Sequence, residues 1–521
     1  MRTQPLTLAS ILIVTFLGSQ WLVGQTSYPI QGQPHGGDRR GGYYHEDAQA
    51  QAEFDDSREI RRLYQDPKTY LHNMELLAHL KGVGRGFGQG DMMTVGGNRY
   101  IFTGRMVVDV TNPKEPTIAN ASAPRGELAY NQALGKWILM RADDCCGVTV
   151  DIAQGRVPNP QLNPPQDVRR GVTFFDATDP RNIVEISHFS TGPGSRGTHS
   201  DGNYYDGGRY AYVTSGLPGT RGQLPYSAVS RVLQIIDVSD IYNPKEVALW
   251  WVPGQQKTEE SAFLQWPEAE SVVRQSWEEV WSPDWKFHYL HLHGPCLPPK
   301  RVEDGGTRAY CAYSALGMRI LDVSDIQQPK EVGFVDISPP FDGGIPVHSV
   351  YPMLQRKLVI MNGETTRWDC QEGIAMPWVV DVRDEKHPLT IATFPIPRPP
   401  ESAPYYDFCL RGGRLGTHHP NNYKAPGEMR IDLIGFSWFM GGWRLYDISN
   451  PFRPEEVAWI VPPTGTRRGT EGGLIEWDRR IIHVFADTGL FILSSPVLGE
   501  PVLGPLKPER WSVEGLNVGA P

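Results

Sequence analysis

The sequence contains little of what marks a nucleic-acid-binding or nucleotide-dependent protein. Its net charge is -9 over 521 residues and it has no block of lysine or arginine, which disfavours nucleic acid and anionic membrane surfaces as partners. It has no Walker loop, no dinucleotide fingerprint before a helix, no Gly-x-Ser-x-Gly elbow and no Cys-x-x-Cys pair. The common nucleotide, serine-hydrolase and thiol-redox chemistries therefore have no candidate site.

Apolar runs long enough to cross a membrane are also lacking. After Met1-Arg2 the chain has an apolar run from about Leu6 to Leu17, which is too short and interrupted for a comfortable span but suits a signal peptide. We predict a signal peptide over residues 1–24 and an extracytoplasmic mature protein, periplasmic or secreted, that is not inserted in the membrane. An uncleaved N-terminal anchor is the alternative.

Cysteine is scarce, with six residues in the chain. In an exported protein these can form disulfides, and Cys296 and Cys311 flank a predicted hairpin, so we expect them to pair. Cys145 and Cys146 are adjacent and cannot easily pair with each other. One of them could pair with Cys370 or Cys409, and the spacing leaves that connectivity open.

Repetition is the main positive feature of the sequence. The segment Val232–Ala248 recurs at Met318–Gly333, and alignment on the aspartate after the apolar run gives further copies. The aligned aspartates, 59 to 85 residues apart, are Asp109, Asp176, Asp237, Asp322, Asp381 and Asp447. A seventh copy, Gly489–Leu493, lacks the aspartate. Because Ser, Asn and Pro follow, we expect these aspartates to cap turns.

Each repeat contains four strand-like segments, and 55 Gly and 45 Pro supply the turns. We therefore predict an all-β, seven-bladed β-propeller with four-stranded blades over residues 72–495. A stray strand at Met74–Leu80 is predicted to complete the last blade. Residues 25–71 read as a polar linker with a short helix at about 47–64, and 496–521 as a Pro/Gly-rich tail.

The segments Leu233–Asp240 and Met318–Asp325 resemble the strand that names the LVIVD-repeat β-propeller family. The resemblance covers roughly residues 72–495. It implies the propeller fold and a surface or exported protein, and it says almost nothing about a reaction.

Four histidines occupy one phase of the repeat, in the loop that leads into the inner strand of four consecutive blades. They are His199, His293, His348 and His418. Inner strands begin at the mouth of the central channel, so we predict that these side chains converge there and bind a transition metal, Fe or Cu rather than Zn. His291, two residues before His293, is a further candidate ligand. Since neighbouring strand residues face opposite ways, only one of His418 and His419 is expected to point inward, and the repeat favours His418.

Two glutamates at the same phase, Glu471 and Glu127, are predicted as catalytic residues: further ligands, orienters of a histidine, or bases. Arginines also recur in the loops that carry these histidines and glutamates. These arginines either hold the loops together or form a cationic rim for an anionic substrate. They are Arg85, Arg125, Arg196, Arg414 and Arg468. The Trp-rich insertion at residues 254–287 could be a lid over the channel, its aromatics forming a pocket wall or a satellite core.

The functional prediction is a metal-dependent oxidoreductase acting on a small molecule at the channel mouth. Four neutral histidines suit O2 chemistry better than hydrolysis, since a hydrolytic zinc usually has three protein ligands and a water. Carotenoid-cleaving oxygenases and the selenium-binding/methanethiol oxidase group are similar as His-bearing propellers, although this sequence does not match the motifs of either closely enough to carry residues over. The alternative is a non-catalytic secreted scaffold that binds a ligand or a protein, with histidines that only stabilise duplicated loops.

Overall fold

The computed structural model describes most of the repeat region. The structure describes residues 70–83, 90–143, 169–220, 231–266, 290–337, 345–401, 403, 405–463 and 468–508. All of them belong to one unit spanning residues 40–521. The predicted signal peptide, the helix at 47–64, Arg85 and Cys145-Cys146 lie outside the described residues.

The strands form seven antiparallel four-stranded sheets, which confirms the predicted seven-bladed propeller. Blades 1 to 5 are each built from four consecutive strands. Blade 1 is β3 (Asp91–Val95), β4 (Asn98–Thr103), β5 (Met106–Asp109) and β6 (Thr117–Asn120); blade 2 is β7 (Glu127–Asn131), β8 (Lys136–Asp143), β9 (Gly171–Asp176) and β10 (Val184–Ser190). Blade 3 is β11 (Gly197–Thr198), β12 (Tyr210–Gly216), β13 (Arg231–Asp237) and β14 (Lys245–Trp250). Blade 4 is β15 (Cys296–Leu297), β16 (Arg308–Ala312), β17 (Met318–Asp322) and β18 (Lys330–Val335); blade 5 is β19 (Ile345–Met353), β20 (Leu358–Glu364), β21 (Pro377–Asp381) and β22 (Leu389–Thr393).

The N-terminal strands close the ring. Blade 7 consists of β26 (Thr470–Glu476), β27 (Ile481–Ala486) and β28 (Gly489–Ser494), and β2 (Glu75–Leu80) pairs with β28 as its outer strand. This confirms the predicted clasp. Blade 6 holds β23 (Leu433–Ser437), β24 (Trp443–Asp447) and β25 (Glu455–Ile460), and β1 (Leu71–His72) adds a fourth strand outside β25. The inner segment of blade 6 makes only isolated bridges, Leu415 with Phe439 and Pro420 with Phe436.

The repeated aspartates cap turns, as predicted. In each of the six copies one carboxylate oxygen accepts a hydrogen bond from the backbone N–H two residues later, at 2.7 to 3.0 Å. The bond offers the backbone a local partner where the ladder ends, so the strand stops there and a turn begins. The strands just before these turns are buried on both faces and supply much of the core between blades.

Two disulfides join described segments of the chain. Cys296 pairs with Cys311 across β15 and β16, as expected. Cys370 pairs with Cys409, so the option that one of these two residues bonds Cys145 or Cys146 was wrong. The α-helices among the described residues are short, α1 (Glu260–Phe263) and α2 (Phe408–Arg411). Within the described part of the chain, no helix has the length and apolarity that a membrane crossing needs.

Candidate metal centre

The four predicted histidines lie together at the inner edge of blades 3 to 6. His199 follows β11, His293 precedes β15, and His348 lies within β19. Neighbouring rings are close, with centroids 4.5 Å apart for His199 and His293, 5.2 Å for His293 and His348, and 4.8 Å for His348 and His418. The Nε2 atoms of His199 and His293 are 3.3 Å apart. Two imidazoles bound at one tetrahedral ion have their nitrogens about 3.3 Å apart, so this spacing suits shared ligation.

Glycines allow the inner segments to come this close. A Cβ on Gly294 would lie 1.5 Å from the backbone oxygen of His348, and a Cβ on Gly202 would lie 2.5 Å from the backbone oxygen of His293. Any side chain at either position would push adjacent blades apart. Glycine therefore brings the backbones of blades 3, 4 and 5 into contact at the point where their histidines face the channel.

His419 also belongs to the cluster, which corrects the expectation that only His418 faces inward. Its ring lies 3.8 Å from that of His418 and 4.9 Å from that of His348, and the residue is only 4% exposed. The alternation rule requires regular strand geometry. Residues 418 and 419 lie in the irregular inner segment of blade 6, so both side chains can point to the same side.

Glu364 stands among the histidines, and sequence reasoning did not identify it. It is the last residue of β20, and one carboxylate oxygen, Oε2, lies 3.6 Å from Nε2 of both His293 and His348. The other oxygen, Oε1, is 3.8 Å from Nε2 of His418. β20 runs antiparallel to β19, so it ends at the channel mouth where β19 begins. A charged residue that ends a strand begun by an apolar run, Leu358–Met361, is the signal that could have revealed it.

A bulge in β19 places His348. The strand advances four residues from Ile345 to Ser349, while its partner β20 advances only two between the paired residues Glu364 and Asn362. Such an irregularity leaves residues unpaired and turns a side chain away from its regular direction. His348, which lies within the bulge, is thereby fully buried and directed at Glu364.

The hydrogen bonds of two rings leave Nε2 available. Nδ1 of His418 is 3.1 Å from the backbone oxygen of Glu471, and because a carbonyl can only accept, Nδ1 carries the proton. Nδ1 of His348 bonds the Ser349 hydroxyl at 2.7 Å. The Nε2 atoms of His348 and His419 are buried and have no hydrogen-bond partner among the described residues. In His348 the outer nitrogen is bonded and the inner nitrogen is not, an arrangement typical of metal-binding imidazoles.

Burial keeps these histidines neutral at physiological pH. It lowers the pKa of His348 to about 3 and holds the pKa of His199 and of His418 well below the ordinary value. Burial opposes ionisation of Glu364, but the neighbouring imidazoles, His418 foremost, and the charge of Arg414 favour the carboxylate and hold its pKa well below the usual range. The centre therefore combines neutral nitrogen donors with an ionised carboxylate, a donor set that transition metals accept.

The arginines of the repeated loops bind the carboxylates of this centre. Arg414 donates to Glu364 at 3.1 Å. Arg125 donates to Asp201 at 2.9 Å, and Arg468 lies 3.4 Å from Glu471. Of the two roles predicted for these arginines, the structural one applies to these three: each fixes an acidic side chain beside the histidines.

Of the two predicted catalytic glutamates, Glu471 lies at the centre. It is buried, its carboxylate is 3.5 Å from Nδ1 of His418, and burial raises its pKa against the opposing charges of Arg468 and Arg414. Glu127 instead accepts a hydrogen bond from Lys424 at 2.6 Å, and the same ammonium lies 3.4 Å from Asp91. Glu127 is thus part of a second polar cluster, with Lys424 and Asp91.

The channel is crossed by the segment that follows His419. Tyr423 contacts Tyr204 of blade 3 and Tyr351 of blade 5, at centroid distances of 5.8 and 6.1 Å. Lys424 reaches Asp91 of blade 1 and Glu127 of blade 2. A segment from blade 6 that contacts four other blades must cross the axis on which the blades converge.

The described part of the predicted lid forms a small satellite core. Trp266 packs edge-on against Phe263 of α1 with centroids 5.3 Å apart, and its Nε1 donates to the Pro253 carbonyl. Glu259 accepts from Trp251 at 3.0 Å. Of the two roles left open for these aromatics, Trp266 has the packing one. Residues 267–289 lie outside the described residues.

Comparisons with known proteins leave the family open. No family model matches the chain, and no curated protein matches it. Among solved structures it is similar to Saccharomyces cerevisiae Sqt1, with a TM-score of 0.42 and 7% identity over 81% of this chain and 99% of that one. For a streptogramin B lyase the TM-score is 0.42 and the identity 7%, over 82% of this chain and 98% of that one. For a chain of a mitotic checkpoint complex the TM-score is 0.42 and the identity 10%, over 81% of this chain and 95% of that one. Likenesses of this strength carry no conclusion about function.

Proposed function

We propose that the histidine cluster is a transition-metal centre and that the protein is a metal-dependent oxidoreductase acting on a small molecule at the channel mouth. The observation that carries the proposal is the buried Nε2 of His348, which has no hydrogen-bond partner in the described part of the chain and faces a carboxylate and further imidazoles. An unpaired buried nitrogen costs roughly 1–3 kcal/mol, and a bound ion would satisfy it.

The donor set favours iron or copper over a hydrolytic zinc. A hydrolytic zinc usually has three protein ligands and a water, whereas this cluster gathers His199, His293, His348 and His418 with Glu364 in their midst. Imidazole and carboxylate donors with positions left for small molecules suit redox-active iron, and imidazole alone suits copper. When bound, such an ion would supply electron transfer to or from the substrate.

Glu471 is assigned the proton-handling role. Its buried carboxylate has a raised pKa, so it exchanges a proton closer to neutral pH than an ordinary glutamate does, which suits a general acid or base. It also fixes His418 through its backbone oxygen. Glu127 is left out of this role because Lys424 holds its carboxylate.

We further propose that the protein is exported and belongs with the LVIVD-repeat propellers. Export is supported by the apolar segment at Leu6–Leu17 and by the pairing of Cys296 with Cys311 and of Cys370 with Cys409, since structural disulfides persist in oxidising compartments. Kinship with the LVIVD proteins is supported by the apolar strands that end in Asp237 and Asp322.

Elemental analysis of the purified protein tests the metal proposal. We expect at least one iron or copper ion per chain in the wild type and a lower metal content in the double variant His199→Ala/His348→Ala. His387→Ala is the control, because His387 lies on an exposed turn and contacts Asp384. Circular dichroism verifies that each variant folds.

Oxygen consumption in the presence of candidate organic reductants then tests the redox assignment, with the metal-free protein as baseline. Metal in the wild type with no oxygen or electron uptake would restrict the site to binding. Absence of metal from wild type and double variant alike, even after added metal is offered to the stripped protein, would reject the centre and leave a non-catalytic propeller.

A further inference from the structure

The cluster at the channel mouth holds more donors than one ion uses. A catalytic ion commonly takes three or four protein ligands and keeps a position for substrate. Here the rings of His293, His348, His418 and His419 are all at least nine-tenths buried, and Glu364 and Asp201 lie within reach of them. The surplus includes His419, whose Nε2 is buried without a hydrogen-bond partner among the described residues.

These donors fall into two groups. In the first, ligand atoms of His293, His348 and Glu364 all lie within 4.8 Å of one another. In the second, those of Asp201, His418 and His419 meet the same condition, and His348 is also within reach. Each group contains two imidazoles and at least one carboxylate, the minimum set that holds non-haem iron and similar ions.

Glu364 faces both groups with different oxygens. Oε2 lies 3.6 Å from the Nε2 atoms of the first group, His293 and His348. Oε1 lies 3.8 Å from Nε2 of His418 in the second group. A carboxylate that offers one oxygen to each of two donor sets has the geometry of a bridging ligand.

The surrounding charges support a bridge at this position. Arg414 donates to Oε1 of Glu364 at 3.1 Å, and this oxygen retains a second lone pair for an ion. Asp201 is held in turn by Arg125 at 2.9 Å. Carboxylates that bind metals are typically hydrogen-bonded in this way, which fixes their direction before the ion arrives.

We propose that the centre binds two transition-metal ions bridged by Glu364. His293 and His348 hold the first ion, and His418, His419 and Asp201 hold the second. The inference rests on the proposed metal centre and extends it to a binuclear one. Paired ions in proteins lie about 3.5–4 Å apart, a separation that one bridging carboxylate spans. Such a pair can bind one small molecule, such as dioxygen, between the two ions.

Stoichiometry and magnetic coupling test the proposal with Cu²⁺ as the probe. The full-length protein is stripped with a chelator, dialysed against Cu²⁺, and analysed for bound copper and for the integrated EPR signal. We expect two copper ions per wild-type chain and an EPR intensity well below that of the total copper, because bridged Cu²⁺ ions couple. His419→Ala and, separately, Asp201→Asn are expected to retain one ion with full EPR intensity.

The remaining variants separate the possible failures. His293→Ala is expected to keep the second ion only, and Glu364→Gln to lose the coupling. His387→Ala should behave as the wild type. One copper per wild-type chain, or an unchanged stoichiometry in His419→Ala and Asp201→Asn, overturns the binuclear assignment and leaves the metal centre in place. No copper in the wild type overturns both. Asp201→Asn, which preserves size, provides the test if His419→Ala does not fold.

Discussion

At the scale of single residues, the centre depends on what holds each ring from behind. His418 is fixed through Nδ1 by the backbone oxygen of Glu471 and lies 3.5 Å from the carboxylate of that residue. Partners behind a ligand set the direction and basicity of the imidazole, and their loss typically lowers metal affinity by about 10–100-fold. Glu471 is therefore a positioning residue as well as the proposed proton carrier.

We predict that Glu471→Gln weakens metal binding about tenfold and removes the limb of the pH–activity profile that ionisation of Glu471 produces. Gln cannot carry the charge or exchange the proton, although it preserves the size of the side chain and the backbone bond to His418. Competition with a chelator measures the affinity, and activity from about pH 5 to 9 measures the proton step. Glu455→Gln, on the exposed edge of β25, is the control. An unchanged pH profile would show that Glu471 has only a positioning role.

At the scale of elements, the clasp strand β2 depends on a neutral histidine. The ring of His79 stacks on Phe491 of β28 with centroids 4.0 Å apart, and its Nε2 donates to the Thr488 carbonyl at 3.0 Å. Burial lowers the pKa of His79 to about 4, with a smaller contribution from Lys81. The docked strand therefore prefers the unprotonated ring.

We predict that the clasp loosens as pH falls from about 6.5 to 4. In this window the released strand binds a proton that the docked strand does not, so docking is fully stable above the ordinary histidine pKa and weakens on acidification by at most about 1.4 kcal/mol per pH unit. Hydrogen exchange at the protected amides of β2, corrected for intrinsic rate, gives the opening free energy. His79→Phe keeps the stacking and should flatten this dependence, whereas His387→Ala should not. A pH dependence identical in wild type and His79→Phe would contradict the prediction.

At the scale of the whole molecule, ring closure joins residues from the two ends of the repeat region. β2 pairs with β28. Buried ion pairs also join Arg99 of blade 1 to Glu476 and Asp478 of blade 7. A propeller leaves only short, protected sheet edges, and here the N-terminal strand gives the last blade its fourth strand. The centre lies at the inner edge of this ring, so its geometry depends on closure.

We predict that deletion of residues 1–83, which removes β1 and β2, lowers the unfolding free energy by at least about 2 kcal/mol, because the apolar strand β28 loses its cover. A shorter deletion, of residues 1–68, leaves both strands and is the control. Thermal unfolding compares the two, and a peptide spanning residues 70–83 should restore the lost stability when added to the longer deletion. Equal midpoints for both deletions would show that blade 7 is stable without its outer strand.

The sequence by itself determined the propeller, its blade number, its clasp and four of the histidines. These depend on local or periodic signals: an apolar strand that ends in Asp237 or Asp322 is visible in the chain, and equivalent positions of a repeat must converge on one axis. Tertiary structure alone decided that Glu364 lies among these histidines, that His419 joins them through an irregular segment, and that Glu127 pairs with Lys424. Such contacts depend on where strand ends and crossing loops of different blades meet. The sequence of a single repeat does not specify the distances between residues of different blades.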